Sequence, residues 1–204
     1  MTLVKLCGLR TLEDIRNVNE ARPDMAGMVL SGGFRRSVPL CDAERMVRGL
    51  SGDVVPVGVF VDESLGSVAE IADVLGLGAI QLHGSEDPGY IERLRSVTGT
   101  TVIKSFPADD IRDVATSPAD LVLMDPGRGS GETFDWSVLR GMDRRFILAG
   151  GLTPDNVADA VRTVRPYAVD TSSGIEVGGV KDRGMMIRFV EEVRMQDRKS
   201  EGMR

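Results

Sequence analysis

Histidine is nearly absent from this chain: 204 residues contain one, His83. A histidine-rich metal centre is therefore excluded, and no HExxH or CxxC pattern stands in for it, so no metal is expected. Cysteine is almost as sparse. Cys7 and Cys41 are isolated from one another, which excludes a disulfide framework and fits a reducing, cytoplasmic location. No apolar run approaches the roughly 20 residues that a membrane span needs. The first residues lead straight into a strand pattern, without the charged and apolar regions of a signal peptide. There is also no surplus of positive charge: 25 basic residues against 31 acidic ones give a net charge of −6. That argues against nucleic acid as a partner, while leaving an anionic small molecule open, because local basic groups and backbone amides decide that binding. No linker, second core or short-period repeat interrupts the chain. With 42% hydrophobic residues it reads as one domain over residues 1–204, with a polar tail from about 195 expected to fray.

What the chain does have is eight short apolar runs: residues 3–6, 25–30, 54–61, 79–82, 101–103, 121–124, 146–149 and 167–169. Each ends in a glycine or polar cluster that leads into a helix-like stretch. Continuous apolar strands are what a parallel sheet buried on both faces requires. Eight β-then-α units predict an α/β fold, a single (β/α)8 TIM barrel that gathers its strand ends, and its chemistry, at one rim. The residues at those ends are Cys7, Ser31, Asp62, His83, Lys104, Asp125, Gly150 with Gly151, and Asp170.

Helix signals fall between the runs. Thr11 with Asp14 three residues on predicts a capped helix start. Helical patterns cover about 41–49, 64–75, 87–97, 109–115 and 182–194, and Thr153-Pro154-Asp155 reads as cap, first position and acidic first turn of another. Residues 126–135 form a loop that carries Gly127, Gly129 and Gly131.

Two glycine-bearing turns follow the last two strands: Gly150-Gly151, and Ser172-Ser173-Gly174. In barrels this pair of loops often binds phosphate through backbone N–H groups, so a phosphate site is expected there. Cys7 is positioned as a nucleophile or, as thiolate, a general base; the bland alternative is a small buried hydrophobe. Cys41, on an outer helix, keeps the bland reading. Asp125 is placed as a general acid or base, or as a turn cap. Asp170 fits capping or support of the site as well as catalysis. His83 either hydrogen-bonds substrate or organises its loop. Arg35 and Arg36 are solvated surface, or one of them clamps a carboxylate. Lys5 and Lys104 either pair with a carboxylate inside the barrel or act on substrate.

These residues occur in blocks: KLCG at 5–8, GVFV at 58–61, QLHG at 81–84, GETFDW at 131–136 after Asp125, GGLTPDN at 150–156, and VDTSSGIE at 169–176 continued by GVKD at 179–182. In this order, spanning almost the whole chain, they resemble the phosphoribosylanthranilate isomerase family. The resemblance implies a cofactor-free Amadori rearrangement in tryptophan biosynthesis, with a phosphorylated aminosugar as substrate. It implies that Cys7 is the general base and Asp125 the general acid. It further implies that Arg36, with Arg35 as the adjacent alternative, meets the anthranilate carboxylate. Gly151, Ser173 and Gly174 would hold the phosphate, and His83 would lie close to substrate. The family contains monomers and homodimers. Arg10, Ser37 and the short segment 126–130, where Arg128 is a candidate anion contact, depart from the usual pattern. Two other readings compete. A metal-dependent phosphosugar epimerase is disfavoured by the single histidine. A catalytically silent barrel that binds a phosphosugar or a partner enzyme is disfavoured by the presence of both Cys7 and Asp125.

Overall fold

The computed structural model describes residues 1–108, 113–126 and 133–202. Its centre is a ring of eight parallel strands: β1 (Leu3–Leu6), β2 (Met25–Val29), β3 (Val55–Phe60), β4 (Ala79–Leu82), β5 (Thr101–Pro107), β6 (Leu121–Asp125), β7 (Phe146–Leu148) and β8 (Ala168–Thr171). They pair in chain order, and β8 pairs back onto β1 with Leu3 opposite Ala168 and Lys5 opposite Asp170. The sheet is closed, so it has no edge left to protect. This is the (β/α)8 barrel that the eight apolar runs predict.

Side chains alternate across each strand, so the barrel has two cores. Met25, Val57, Ala79, Ile103, Leu123, Ile147 and Ala168 fill the inside. Val4, Leu6, Phe60, Ile80, Leu82 and Met124 face outward, where they pack with helix residues such as Ile15, Val68, Leu94 and Phe189. Both faces of the strands are dry, which is why the runs read as unbroken apolar segments.

The helices are α1 (Leu12–Ala21), α2 (Leu40–Gly49), α3 (Leu65–Leu75), α4 (Pro88–Thr98), α5 (Val157–Val164) and α6 (Arg183–Glu201). At the start of α1 the Thr11 hydroxyl accepts from the Asp14 N–H, and the Asp14 carboxylate accepts from the Thr11 N–H, closing a reciprocal cap. Ser64, Asp87 and Asp182 cap α3, α4 and α6 in the same manner on one side.

Four expectations need correction. The helix after β7 opens at Val157, not at Thr153: the Thr153 carbonyl accepts from both Asn156 and Val157 N–H groups, and Asn156 Oδ1 accepts from Thr153 N–H, so that segment folds as a tight turn feeding the helix. The stretch after 195 continues the last helix. Helix α6 runs on to Glu201 because it packs on α1 and α5, buries Gln196 and places Asp197 to accept from the N–H and hydroxyl of Thr2. Asp170 lies within β8 instead of ending it. Of the helix expected over 109–115, residues 109–112 lie outside the described residues and 113–116 form a turn. Between β6 and β7 the described residues include a 3-10 turn, Trp136–Leu139. The segment with Gly127, Arg128, Gly129 and Gly131 also lies outside the described residues.

Two features were not foreseen. A two-stranded hairpin, β9 (Glu176–Val177) and β10 (Val180–Lys181), follows β8, turning at Gly178-Gly179 with φ of 59° and 81°. It is preceded by a 3-10 turn, Ser173–Ile175, that carries the second half of the predicted phosphate loop. No described helix is long and apolar enough to cross a membrane.

Candidate active site

The carboxyl ends of the strands bring most of the sequence candidates together. Asp125 is the last residue of β6. Gly150-Gly151 follows β7, and Asp170 belongs to β8 with Ser172, Ser173 and Gly174 just beyond it. These residues line one cleft of about 50 Å³. Cys7 follows β1, the next strand around the ring, and its N–H donates to the Thr171 carbonyl at 2.9 Å. Asp125, both glycine-bearing turns and Cys7 therefore sit on four consecutive strands of one rim.

The turns need their glycines. Gly150 and Gly151 have φ of 89° and 59°, a region that side chains disfavour. A Cβ on Gly174 would lie 1.8 Å from the Leu152 carbonyl oxygen, so no larger residue fits between the two loops. The Thr171 hydroxyl donates to that same carbonyl at 2.7 Å and stitches the loops together.

Beneath the rim, Lys5 points into the barrel and is fully buried. Its Nζ donates to Asp170 Oδ1 at 2.9 Å. Burial acts against the ammonium, but the attraction of Asp170 and Cys7 outweighs it and holds the Lys5 pKa above the usual lysine value. Gly27 on β2 makes room for this arrangement: a Cβ there would stand 2.8 Å from Cys7 Sγ and 3.0 Å from Lys5 Nζ. Cys7 itself is 8% exposed, open at the rim and otherwise enclosed. Cys41 is exposed on α2, apart from this chemistry.

Lys104 takes a different course. Ile103 belongs to the inner core, so Lys104 lies on the other face of β5. Its ammonium bonds the Gly84 carbonyl at 2.6 Å and Glu86 Oε2 at 2.9 Å, which secures the loop after β4. Asp62 and Ser31 are likewise structural in their described bonds: Asp62 Oδ1 accepts from Ser85, and Ser31 Oγ accepts from Val61 N–H.

His83 follows β4 with Nε2 at 3.8 Å from Asp125 Oδ2. Burial pushes its imidazole below the usual value, against the pull of Asp125, which favours the neutral ring. Gln81 Nε2 lies 3.1 Å from His83 Nδ1. When the amide donates, the ring proton sits on Nε2 and faces Asp125. Gln81 was not singled out in the sequence as anything but part of a block.

The arginines after β2 hold a partner that the sequence did not suggest. Arg36 Nε and Nη2 donate to Glu176 Oε1 and Oε2 at 2.8 and 3.1 Å, and Arg35 Nη2 donates to Oε2 at 2.8 Å. Lys181 Nζ donates to the same Glu176 Oε1 at 2.9 Å and to the Ser172 carbonyl at 2.8 Å. Arg10 reaches the same hairpin, with Nη2 donating to the Gly179 carbonyl. Gly8 lets Arg36 cross this close: a Cβ there would meet Arg36 Cδ at 2.5 Å and Ser172 Oγ at 2.6 Å.

Burial alone would raise the Glu176 pKa, but the hydrogen bonds from Arg36, Lys181 and Arg35 bring it down from 4.5 to about 2. A carboxylate whose folded value is depressed adds stability above its unfolded value and loses it as pH falls through the folded one. The stability owed to Glu176 is thus intact above about pH 4.5 and fades toward pH 2. Chemical denaturation at pH 6 and pH 3 checks this: Glu176→Gln should lose less stability than the parent between the two. An equal loss in both proteins would show that Glu176 does not carry it.

Among the described residues no group of three His, Cys, Asp or Glu side chains could hold a metal ion. Three cations around Glu176, two glycine turns, and a cysteine and an aspartate across a small cleft suit an anionic sugar and proton transfer.

The chain is similar in sequence and in fold to known proteins. Residues 4–192 match the family model described as N-(5'-phosphoribosyl)anthranilate (PRA) isomerase. The N-(5'-phosphoribosyl)anthranilate isomerase of Caldanaerobacter subterraneus subsp. tengcongensis is 42% identical over 201 residues, covering 95% of this chain and 98% of the relative. The crystal structure of phosphoribosyl anthranilate isomerase from Thermus thermophilus superposes with a TM-score of 0.87 at 33% identity, over 96% of this chain and 99% of that one. A further phosphoribosyl anthranilate isomerase structure, in complex with reduced 1-(o-carboxyphenylamino)-1-deoxyribulose 5-phosphate, matches with a TM-score of 0.84 at 33% identity, over 96% of this chain and all of that one. On its sequence, its closed barrel and these likenesses, the chain belongs to the N-(5'-phosphoribosyl)anthranilate isomerase family.

Proposed function

We propose that this chain catalyses the Amadori rearrangement of N-(5-phosphoribosyl)anthranilate to 1-(2-carboxyphenylamino)-1-deoxyribulose 5-phosphate in tryptophan biosynthesis, without a cofactor. The observation that carries the reading is the shared cleft: Asp125 lines it together with both glycine-bearing turns, and Cys7 stands at the neighbouring strand end.

In this reading the substrate phosphate rests on Gly150-Gly151 and on Ser172-Ser173-Gly174, where compact backbone and two hydroxyls supply donors. Asp125, as general acid, gives its proton to the furanose ring oxygen. The C1–O bond breaks, and the anthranilate nitrogen lone pair forms the C1=N iminium. Cys7, as thiolate, removes the C2 proton, and that electron pair forms the enolamine double bond. The C2 hydroxyl then gives up its proton as the ketone forms, and C1 is protonated. No atom is gained or lost overall. The buried Lys5 ammonium supports negative charge on Cys7, and the iminium formed in the first step favours the second. Asp170 fixes Lys5 and borders the phosphate turn. His83 presents Nε2–H beside Asp125 and the sugar. Arg36 receives the anthranilate carboxylate, and Arg35, more exposed, adds positive charge at the entrance.

The test is fluorimetric. Phosphoribosylanthranilate generated in situ from anthranilate and phosphoribosyl pyrophosphate should lose its fluorescence rapidly with the protein present, equally with EDTA. Cys7→Ser should lower the rate by about 10²-fold or more while still binding a reduced product analogue. Turnover that survives in Cys7→Ser would remove Cys7 from the role of base.

A further inference from the structure

A loop arginine ordinarily has several freely rotating bonds, which a substrate carboxylate must order on binding. Arg36 is already ordered. Its Nε and one Nη2 hydrogen are committed to Glu176 in a two-point grip. A guanidinium has five N–H donors, so the edge formed by Nη1 and the second Nη2 hydrogen remains for another carboxylate. Glu176 is itself held in place, because Lys181 Nζ donates to the same Oε1 that accepts from Arg36 Nε. The Lys181 side chain is wholly buried and that of Glu176 is 5% exposed. Lys181 in turn donates to the carbonyl and, at 3.3 Å, to the hydroxyl oxygen of Ser172, leaving the Ser172 proton to point elsewhere. One unbroken chain of charged hydrogen bonds thus runs from Arg36 through Glu176 and Lys181 to the phosphate turn. Its single carboxylate sits among three cations, so the site stays positive with Glu176 in place.

We propose that Glu176 is a positioning residue that sets substrate selectivity: clamped by Lys181, it presents the free edge of Arg36 to the aromatic carboxylate at a fixed distance from the phosphate turn. The proposal rests on the functional reading above, in which Arg36 and the two turns hold the two anionic ends of one substrate. Glu176 touches neither end. It acts by removing the ordering cost that a mobile Arg36 would add to binding. The hairpin β9–β10 exists, in this view, to bring Glu176 and Lys181 to the mouth of the barrel.

The experiment compares two substrates formed in situ, phosphoribosylanthranilate and phosphoribosylaniline, which lacks the ring carboxylate. In the parent, kcat/KM should favour the anthranilate compound. Glu176→Gln should reduce that preference about 10-fold or more, chiefly through KM for phosphoribosylanthranilate. Combining it with Arg36→Leu should reduce the preference no further than Arg36→Leu alone, since both act on one contact. Glu176→Asp keeps the charge that the fold needs but shortens the arm that spans Lys181 and Arg36, and should also lose preference. It serves as the test if the Gln variant does not fold. A merely structural role would lower kcat/KM for both substrates together and leave their ratio unmoved, and that result overturns the proposal. Full additivity in the double variant overturns it as well. A parent protein that turns over neither substrate would overturn the functional reading, and the relay with it.

Discussion

Asp125→Asn should lower kcat about 10²- to 10⁴-fold with little change in KM, the range that a positioned general acid supplies. The substitution keeps the size of the side chain and an acceptor oxygen but removes the ability to donate a proton to the furanose ring oxygen. Ring opening, the first step, is then left to solvent. Binding should persist, because the phosphate turns Gly150-Gly151 and Ser172–Gly174 border Asp125 without depending on its charge. Loss of phosphoribosylanthranilate fluorescence under saturating conditions measures kcat, and titration with the reduced product analogue measures binding. A kcat within about 10-fold of the parent would place the acid elsewhere. His83 is the group to examine next, since its Nε2 faces Asp125. However, burial disfavours the charged imidazole there, which makes that ring a poor proton source.

What could be read in advance follows from how local each signal is. The eight strands were legible because both of their faces are buried, which writes an apolar run into the chain at each one. Thr11 with Asp14 was legible because a capping box is complete within four residues. Cys7, Asp125 and the glycine turns were legible because a barrel exposes its strand ends at one rim. The misreadings are of two kinds. Thr153-Pro154-Asp155 carries helix-start chemistry, but Asn156 diverts it into a turn by bonding Gly151 and Thr153. The stretch after 195 is polar on its own account, and only the surfaces of α1 and of the N-terminal strand make it a helix. The hairpin could have been seen in EVGGVK, two short alternating segments around Gly-Gly. Its purpose could not. Lys5 and Asp170 are 165 residues apart, and Arg36 and Glu176 are 140 apart. Only closure of the ring brings β1 to β8 and the loop after β2 to the hairpin after β8. Charges that meet across such distances leave no pattern along one sequence.

That closure contact also carries the largest expected effect on stability. Lys5→Met should cost about 3–5 kcal/mol, the usual penalty for leaving one member of a buried pair without its partner. The methionine fills the space of the lysine stem, so little cavity remains. The cost comes from Asp170, whose carboxylate would keep its burial and lose its ammonium. The companion variant separates the two causes: Lys5→Met with Asp170→Asn should recover most of the loss, since two neutral groups need no desolvated charge. Activity should not recover. Cys7 would stand beside a thioether in place of a cation, and proton abstraction from C2 should remain at least about 10-fold slow. The pH dependence has a defined sign. The Lys5 value is raised on folding, so its contribution is fully present below the unfolded value of 10.5 and disappears only as pH climbs through the higher folded value. Near neutrality the pair is therefore at full strength, and urea denaturation at pH 7 measures the whole effect. A loss below about 1 kcal/mol in Lys5→Met, or a double variant no more stable than the single one, would show that Lys5 and Asp170 are not the pair that holds β1 to β8. Restored stability together with restored turnover would show that Cys7 does not need the ammonium. The lysine would then be a structural feature of the barrel alone.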